Sequence, residues 1–143
     1  MEFVWQYSQD GIDWDELSNL YKIAPLGDKS PGNLRRVFGN SMFKCFVFHD
    51  RLLVGAGRGL ADGRDCSYLC DVAVHPRFQG LGLGKAIVHE LVQLSTGHNK
   101  IMLYSSPGKE AFYTQLGFKR LTTAMAIFED QDEALQERLI DDT

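Results

Sequence analysis

The chain has 143 residues, which suits one domain and leaves too little sequence for a second domain with its own core. Its composition, 44% hydrophobic, 24% charged and 11% aromatic, is typical of a globular protein. The formal net charge of −4 disfavours a nucleic-acid-binding protein, and no apolar run approaches the ~20 residues of a membrane span. The first ten residues carry neither a basic nor an apolar leader region. We therefore expect a cytoplasmic protein with no nucleic-acid or membrane partner.

Hydrophobic periodicity and turn residues divide the chain into ten elements and a tail. In chain order these are a strand at 2–7, helices at 12–23 and 33–41, two strands within 43–63, a strand at 66–76, a helix at 84–97, a strand at 100–106, a helix at 109–117, a strand at 120–128 and an acidic amphipathic tail helix within 129–143. Asp13 and Ser30 are the expected N-caps of the first two helices, and Gly117 is the expected C-cap of the fourth. This order predicts an α+β fold with a mixed sheet, in which antiparallel strands precede one βαβ crossover.

The cysteines and histidines form no recognisable metal or redox motif. Cys66 and Cys70 are separated by three residues rather than the two of a zinc or redox pair, and the four histidines have no ligand spacing. We therefore expect no metal cofactor. Cys70 is interpreted as a core thiol rather than an acyl-carrying nucleophile.

The segment QGLGLGK, residues 79–85, lies between an apolar strand and a helix. Glycines at alternate positions let phosphate oxygens approach backbone N–H groups, and the N-terminus of the following helix adds unsatisfied donors. The spacing fits neither a Walker A loop nor a dinucleotide-binding G-x-G-x-x-G turn, which makes an ATP-binding role a weak alternative. The segment predicts either a pyrophosphate site or a tight turn that binds nothing.

Two segments, DVAVHPRFQGLGLGKAIV at residues 71–88 and EAFYTQLGF at residues 110–118, carry a family resemblance. They resemble the acetyl-CoA signature and the second motif of the GCN5-related N-acetyltransferase (GNAT) superfamily. The positions that match the first signature are Val74, Pro76, Gln79, Gly80, Gly82 and Gly84. The resemblance implies a single GNAT domain over residues 1–143. It also implies direct transfer of an acetyl group from acetyl-CoA to a primary amine within a ternary complex.

The same resemblance implies where the coenzyme would bind. Main-chain groups of Val72, Ala73 and Val74 would separate from the next strand at a bulge and pair with the pantetheine arm, and an N–H near Val72 would polarise the acetyl carbonyl. The backbone N–H groups implied for the pyrophosphate belong to Gln79, Gly80, Leu81, Gly82, Leu83, Gly84 and Lys85. The asparagine that many members place before the second motif is absent, and we expect Ser105, Ser106 or Lys109 to replace it.

Three residues are candidates for proton transfer. Tyr113 matches the family's general acid, and a tyrosine suits protonation of a departing thiolate. Asp71 lies in an apolar strand. An unpaired carboxylate in that place would favour its protonated form, which would suit it to accept a proton as a general base. The alternatives for Asp71 are a structural hydrogen bond or an outward, solvated position. Tyr68 on the same strand is the second candidate base, through a water molecule.

The acceptor site and the class of acceptor are predicted from the resemblance and from the net charge of the chain. The resemblance implies an acceptor site lined by residues 21–34, the Tyr68 region and the last strand, and the acidic net charge agrees with a cationic amine. Local similarity to GNAT enzymes that acetylate arylalkylamines favours a small arylalkylamine. A protein lysine, a protein N-terminus, an amino sugar and a non-catalytic acyl-CoA sensor remain alternatives. The tail helix would pack on its own domain or contribute to a homodimer.

Overall fold

The computed structural model of the protein describes residues 1–142. Its elements are β1 (Val4–Gln6), α1 (Trp14–Ile23), α2 (Pro31–Gly39), β2 (Phe43–His49), β3 (Leu52–Ala61), β4 (Cys66–Val74), α3 (Leu83–Leu94), β5 (Lys100–Met102), α4 (Glu110–Gln115) and α5 (Gln131–Gln136), with a 3₁₀ turn at Pro76–Phe78. The first two helices begin at the predicted caps. The Asp13 carboxylate accepts hydrogen bonds from the N–H groups of Asp15 and Glu16, and the Ser30 hydroxyl accepts one from Asn33 N–H.

Within residues 1–142, five strands form one open sheet in the order β1-β2-β3-β4-β5. The first four strands pair antiparallel with their neighbours, and β4 pairs parallel with β5. Helix α3 supplies the crossover between these two parallel strands, as such a pairing requires. The predicted mixed sheet with one βαβ unit is therefore confirmed.

Helices cover both faces of the sheet. On one face, buried side chains of α1 and α2, including Tyr21 and Phe38, pack against Phe46 of β2. On the other face, α3 approaches β3 so closely that a Cβ on Gly57 would lie 2.9 Å from Ile87 Cγ2. Because successive strand residues alternate between faces, the glycines of β3 that face α3 let the helix pack directly on the backbone.

The chain divides into two compact units, Met1–Leu103 and a unit that begins at Tyr104. The expectation of a single domain is not tested by this division and stays a prediction. The first unit contains the whole sheet and helices α1 to α3, and the second contains α4 and α5. The sheet and the turn that follows β4 can therefore be described within the first unit alone.

Three predictions about the C-terminal part of the chain need correction. Residues 120–128 form no strand, and Met125 and Ile127 are each 95% exposed. The strand predicted at 100–106 is limited to the three residues of β5. The tail contains the six-residue helix α5, in which Ala134 is buried, while its last residue, Thr143, lies outside the described residues. The strands predicted at 100–106 and 120–128 need a partner strand over their whole length, and in the described chain only residues 100–102 have one, on β4.

Candidate active site

The β4 strand has an open edge on its β5 side. Strand β5 pairs only with Cys66–Tyr68, through the register Cys66 to Lys100 and Tyr68 to Met102. The rest of β4, residues 69–74, has no strand on that side among residues 1–142. Backbone groups on such an edge are free to pair with an extended ligand. The lack of strand pairing along residues 69–74 agrees with the predicted separation of residues 72–74 from the following strand, and their pairing with a pantetheine arm stays a prediction.

A β-bulge lies in the middle of this open stretch. The β3–β4 register passes from Arg58 opposite Cys70 to Ala56 opposite Ala73, so that two β4 residues, Asp71 and Val72, face one β3 residue. Asp71 has a φ of 57°, in the left-handed region, which aspartate tolerates better than most residues. The Tyr21 hydroxyl donates a 2.5 Å hydrogen bond to the Asp71 carbonyl oxygen. The bulge is therefore fixed by a side chain of α1.

The Asp71 carboxylate is paired, which removes the reason for which it was predicted to be a base. Arg58 Nε donates to Asp71 Oδ2 at 2.7 Å, and Lys29 Nζ lies 3.6 Å from Oδ1. The Asp71 side chain is 18% exposed. Both carboxylate oxygens of Asp71 are therefore engaged by neighbouring cations. A structural role for Asp71 therefore agrees with its contacts, and its role as general base stays an untested prediction.

Tyr68, the second candidate base, and Cys70, interpreted as a core thiol, also lie on β4. Tyr68 is the last residue of β4 that faces β5, and its role as a base stays a prediction. Burial raises the pKa of the Cys70 thiol to about 11. Because the reactive form of cysteine is the thiolate, this thiol is mostly protonated near neutral pH and suits a core position rather than nucleophilic catalysis.

The glycine turn after β4 presents a row of backbone donors. Gly80 and Gly82 have φ values of 81° and 83°, and an added Cβ at either position would meet nothing within 4 Å. These glycines are therefore required by backbone conformation, and the space beside them is open. Within residues 1–142, the N–H groups of residues 80–85 donate to no protein acceptor. With the twelve-residue helix α3 behind them, they form a positively polarised cradle of the kind that binds phosphate.

Gln79 supports the turn through its side chain. Its Nε2 atom donates to the carbonyl oxygens of Val74, at 3.0 Å, and Ala24, at 3.1 Å. Its own N–H makes a long 3.4 Å contact with the Pro76 carbonyl of the 3₁₀ turn. His75 accepts a hydrogen bond from Arg77 N–H through Nδ1, which agrees with a capping role. Of the predicted pyrophosphate donors, residues 80–85 are thus free to bind, while Gln79 mainly anchors the turn.

The second unit contains Tyr113 on α4. Its ring makes edge contacts with Phe112 and Phe118, at centroid distances of 5.0 and 6.1 Å. Burial raises the pKa of Tyr113, so its hydroxyl stays protonated over the neutral range. The helix ends in a Schellman motif, in which Phe118 N–H donates to the Tyr113 carbonyl and Gly117 has a φ of 98°. The predicted C-cap is confirmed, whereas the general-acid role stays a prediction.

The predicted replacements for the missing asparagine also lie in the second unit. Lys109 N–H donates to the Ser106 carbonyl at 3.0 Å, and Ser105 Oγ lies 3.4 Å from a carboxylate oxygen of Glu110. Ser106 and Lys109 are exposed. Their contact with a coenzyme stays a prediction.

No group of three or more histidine, cysteine or acidic side chains is placed to hold a metal ion within residues 1–142. None of the helices in the same range has the length and hydropathy of a membrane span.

Sequence reasoning missed the partners of Asp71. Arg58 is the only charged residue of β3, and Asp71 is the only charged residue of β4. Two opposite charges on successive apolar strands were a signal that the strands pair and that the charges neutralise each other. Tyr21 was predicted only as a residue lining the acceptor site, and its bond to the bulge has no sequence signature.

Comparison with known proteins identifies the family. A family model described as an acetyltransferase (GNAT) domain matches residues 7–129. The chain therefore belongs to the GNAT acetyltransferase family, whose members use acetyl-CoA as a cosubstrate.

Individual proteins agree with this assignment. The chain is 32% identical over 124 residues to serotonin N-acetyltransferase 2, chloroplastic, of Oryza sativa subsp. japonica, covering 81% of this chain and 61% of that protein. It is 41% identical over 68 residues to an uncharacterized N-acetyltransferase, ycf52, of Pyropia yezoensis, covering 46% and 39%. The chain thus spans 39% to 61% of the length of these two curated relatives.

A solved structure of a probable acetyltransferase of unknown function from meticillin-resistant Staphylococcus aureus superposes with a TM-score of 0.80. The superposition covers 90% of this chain and 99% of the other, at 17% sequence identity. At this identity the likeness establishes a shared fold. The mixed sheet of the first unit is therefore a GNAT sheet.

Proposed function

We propose that the protein transfers an acetyl group from acetyl-CoA to a primary amine by direct attack of the amine in a ternary complex. The observation that carries this proposal is the combination, within the first unit, of an open β4 edge at residues 69–74 and free N–H groups at residues 80–85. An extended arm that ends in a pyrophosphate requires both features. Coenzyme A has that form, whereas a bare phosphate would need only the turn.

The proposed binding roles follow from the free groups. The N–H groups of residues 80–85 would hold the pyrophosphate, and the main chain of residues 72–74 would pair with the pantetheine amides. Acetyl-CoA supplies the acetyl group as a thioester. The Val72 N–H would donate to the acetyl carbonyl and stabilise the negative charge that develops on its oxygen during attack.

The proposed proton transfers balance the reaction. A neutral amine forms the new N–C bond, the C–S bond breaks, and the departing thiolate takes a proton from Tyr113. The proton that the amine loses passes to a base, for which Asp71 and a water molecule next to Tyr68 are the candidates. The ion pairs of Asp71 favour the water-mediated route.

For the acceptor we propose a small arylalkylamine. The name of the rice relative, a serotonin N-acetyltransferase, supports this class, and the net charge of −4 agrees with a cationic partner. A protein lysine or protein N-terminus is the alternative acceptor. A non-catalytic acyl-CoA sensor is the alternative function.

The first experiment measures thermal unfolding with acetyl-CoA, free coenzyme A and ATP. A ligand that binds only the folded state stabilises it by about 2.7 kcal/mol at 100 times its Kd, so acetyl-CoA should raise the Tm and ATP should not. An unchanged Tm at saturating acetyl-CoA would refute the proposal.

The second experiment measures coenzyme A release from acetyl-CoA with arylalkylamines, a lysine peptide and an α-amino peptide. Turnover with arylalkylamines alone is the expected result. Binding of acetyl-CoA without turnover on any amine would favour the sensor.

A further inference from the structure

A buried polar cluster surrounds the β4 bulge on the side of helices α1 and α2. Tyr21 is fully buried, and its hydroxyl donates to the Asp71 carbonyl oxygen at 2.5 Å. Burial, followed by the negative charge of Asp71, raises the pKa of Tyr21 well above its ordinary value. The hydroxyl therefore stays protonated, and able to donate, across the neutral range.

Arg58 holds the other end of the same residue. Its Nε donates to Asp71 Oδ2 at 2.7 Å, and its Nη1 donates to Ser41 Oγ at 3.2 Å. Ser41 in turn donates to the Val37 carbonyl of α2 at 2.7 Å. The Arg58 and Asp71 side chains are 15% and 18% exposed, so water competes weakly for these bonds. Asp71 is thus held through its carbonyl by α1 and through its carboxylate by β3 and the end of α2.

The bond from Tyr21 acts on one peptide plane. The Asp71 carbonyl and the Val72 N–H belong to the same planar trans peptide unit, so they point in opposite directions. Fixing the direction of the carbonyl therefore fixes the direction of the N–H. Donation to the carbonyl oxygen also polarises the peptide and strengthens the N–H as a donor.

We propose that Tyr21 is a positioning residue that aims and polarises the Val72 N–H, with Arg58 holding the Asp71 side chain so that the bulge keeps its left-handed conformation. This inference rests on the proposed function, in which that N–H receives the acetyl carbonyl. Left-handed backbone at a residue other than glycine is unfavourable, so it persists only where neighbouring contacts hold it. Tyr21 touches neither coenzyme nor acceptor in this role.

The test compares Tyr21→Phe with the matched control Tyr7→Phe. Both changes remove one tyrosine hydroxyl that makes a 2.5 Å hydrogen bond, to Asp71 in one case and to Glu90 in the other. The acetyl carbonyl is the group that free coenzyme A lacks. We therefore measure kcat, the KM for acetyl-CoA and the dissociation constants of acetyl-CoA and free coenzyme A.

Tyr21→Phe should lower kcat about 10- to 100-fold, because a misaligned oxyanion donor is lost mainly from the transition state. Affinity for free coenzyme A should change less than about twofold, and any preference for acetyl-CoA over coenzyme A should shrink. Tyr7→Phe should resemble the wild type. The Val72 amide resonance of the ligand-free protein should move in Tyr21→Phe and stay unchanged in Tyr7→Phe.

Each outcome decides one claim. A wild type that binds no acetyl-CoA refutes the proposed function, whereas an active wild type matched by Tyr21→Phe in kcat refutes the positioning role. If Tyr21→Phe loses affinity for acetyl-CoA and for coenzyme A equally, Tyr21 has only a structural role, and the inference is overturned. A Val72 amide resonance that does not move in Tyr21→Phe would also overturn the inference, without any activity measurement. If Tyr21→Phe fails to fold, Arg58→Lys, which keeps the positive charge, is measured in the same way and should lower kcat at unchanged coenzyme A affinity.

Discussion

Gly82 and Gly97 both lie in the left-handed region, with φ values of 83° and 98°, and an added Cβ at either would meet nothing within 4 Å. Alanine at either position should therefore destabilise the fold by a similar amount, about 1 to 2 kcal/mol. Only Gly82 borders the free N–H groups of the turn. A side chain there would occupy the space into which the pyrophosphate is proposed to enter.

We expect Gly82→Ala to weaken acetyl-CoA binding about tenfold, or about 1.4 kcal/mol, and Gly97→Ala to leave it unchanged. Isothermal titration gives the affinities, and urea unfolding checks that both variants lose similar stability. Equal affinities in the two variants would contradict a ligand role for the turn.

The proposed general-acid role of Tyr113 predicts how activity depends on pH. A general acid works only while it is protonated, and burial raises the pKa of this tyrosine above its ordinary value of 10.0. The midpoint of the loss of activity from its ionisation should therefore lie above pH 10. Removal of the hydroxyl in Tyr113→Phe should lower kcat about 10²- to 10⁴-fold and abolish that alkaline decline.

The control for this profile is Tyr7→Phe. The hydrogen bond to Glu90 raises the pKa of Tyr7 to about 12, so a second tyrosine that titrates in the alkaline range is removed without touching Tyr113. This variant should keep the wild-type profile of kcat against pH. A Tyr113→Phe enzyme with wild-type kcat would exclude the general-acid role.

Among the elements, local signals predicted helix ends better than strand ends. Asp13, Ser30 and Gly117 each cap a helix through contacts within a few residues, and all three assignments are confirmed. By contrast, the Glu16 carboxylate of α1 accepts a hydrogen bond from Leu53 N–H of β3. That contact joins distant parts of the chain, and no local pattern indicates it.

The strand predicted at 120–128 was wrong for a similar reason, because a strand also depends on contacts between distant parts of the chain. Its apolar run at residues 124–128 is compatible with a strand, but pairing with another strand is a non-local contact that the sequence pattern cannot specify. The glycine turn could be predicted because its conformation depends on consecutive residues. The opposite charges of Asp71 and Arg58 indicated that their strands pair, but the contact between the two side chains could not be predicted, because it depends on the register of a bulge.

Because α3 lies so close to β3, adding one methyl group to a β3 glycine should lower the free energy of unfolding. A Cβ on Gly57 would lie 2.9 Å from Ile87 Cγ2 and 3.0 Å from Leu91 Cδ1, both on buried side chains of α3. Gly57→Ala should destabilise the protein by about 1 to 3 kcal/mol through overpacking. The free energy of unfolding in urea measures this loss.

Gly32→Ala is the control for that measurement. Gly32 lies in α2, and an added Cβ would meet nothing within 4 Å. Alanine is preferred to glycine in helices, so this variant should be neutral or slightly stabilising. A Gly57→Ala protein as stable as the wild type would show that α3 can move away from the sheet at little cost.

At the scale of the whole molecule, buried hydrophobic residues are distributed unevenly between the two units. Among the described residues, Ala134 is the only buried hydrophobic residue beyond Leu103, while the others belong to the first unit. Local opening is easiest where few apolar contacts would be lost. We expect hydrogen exchange to be slowest in β2, β3 and α3 and fastest in residues 119–128, as measured by mass spectrometry of peptic peptides.

Exchange in 119–128 as slow as in β3 would contradict this distribution of stability. Addition of acetyl-CoA should slow exchange at residues 80–85, whereas ATP should not. The cytoplasmic location and the homodimer are not tested by burial and remain predictions.

The open edge of β4 also bears on how the protein behaves when its ligand is scarce. Unpaired backbone groups on an apolar strand are a template for strands of other copies, and Asp71 supplies the only charge in residues 69–74. In the proposed complex the pantetheine arm covers this edge. Coenzyme supply would then govern solubility as well as turnover, and a cell depleted of coenzyme would hold this protein in its most aggregation-prone form.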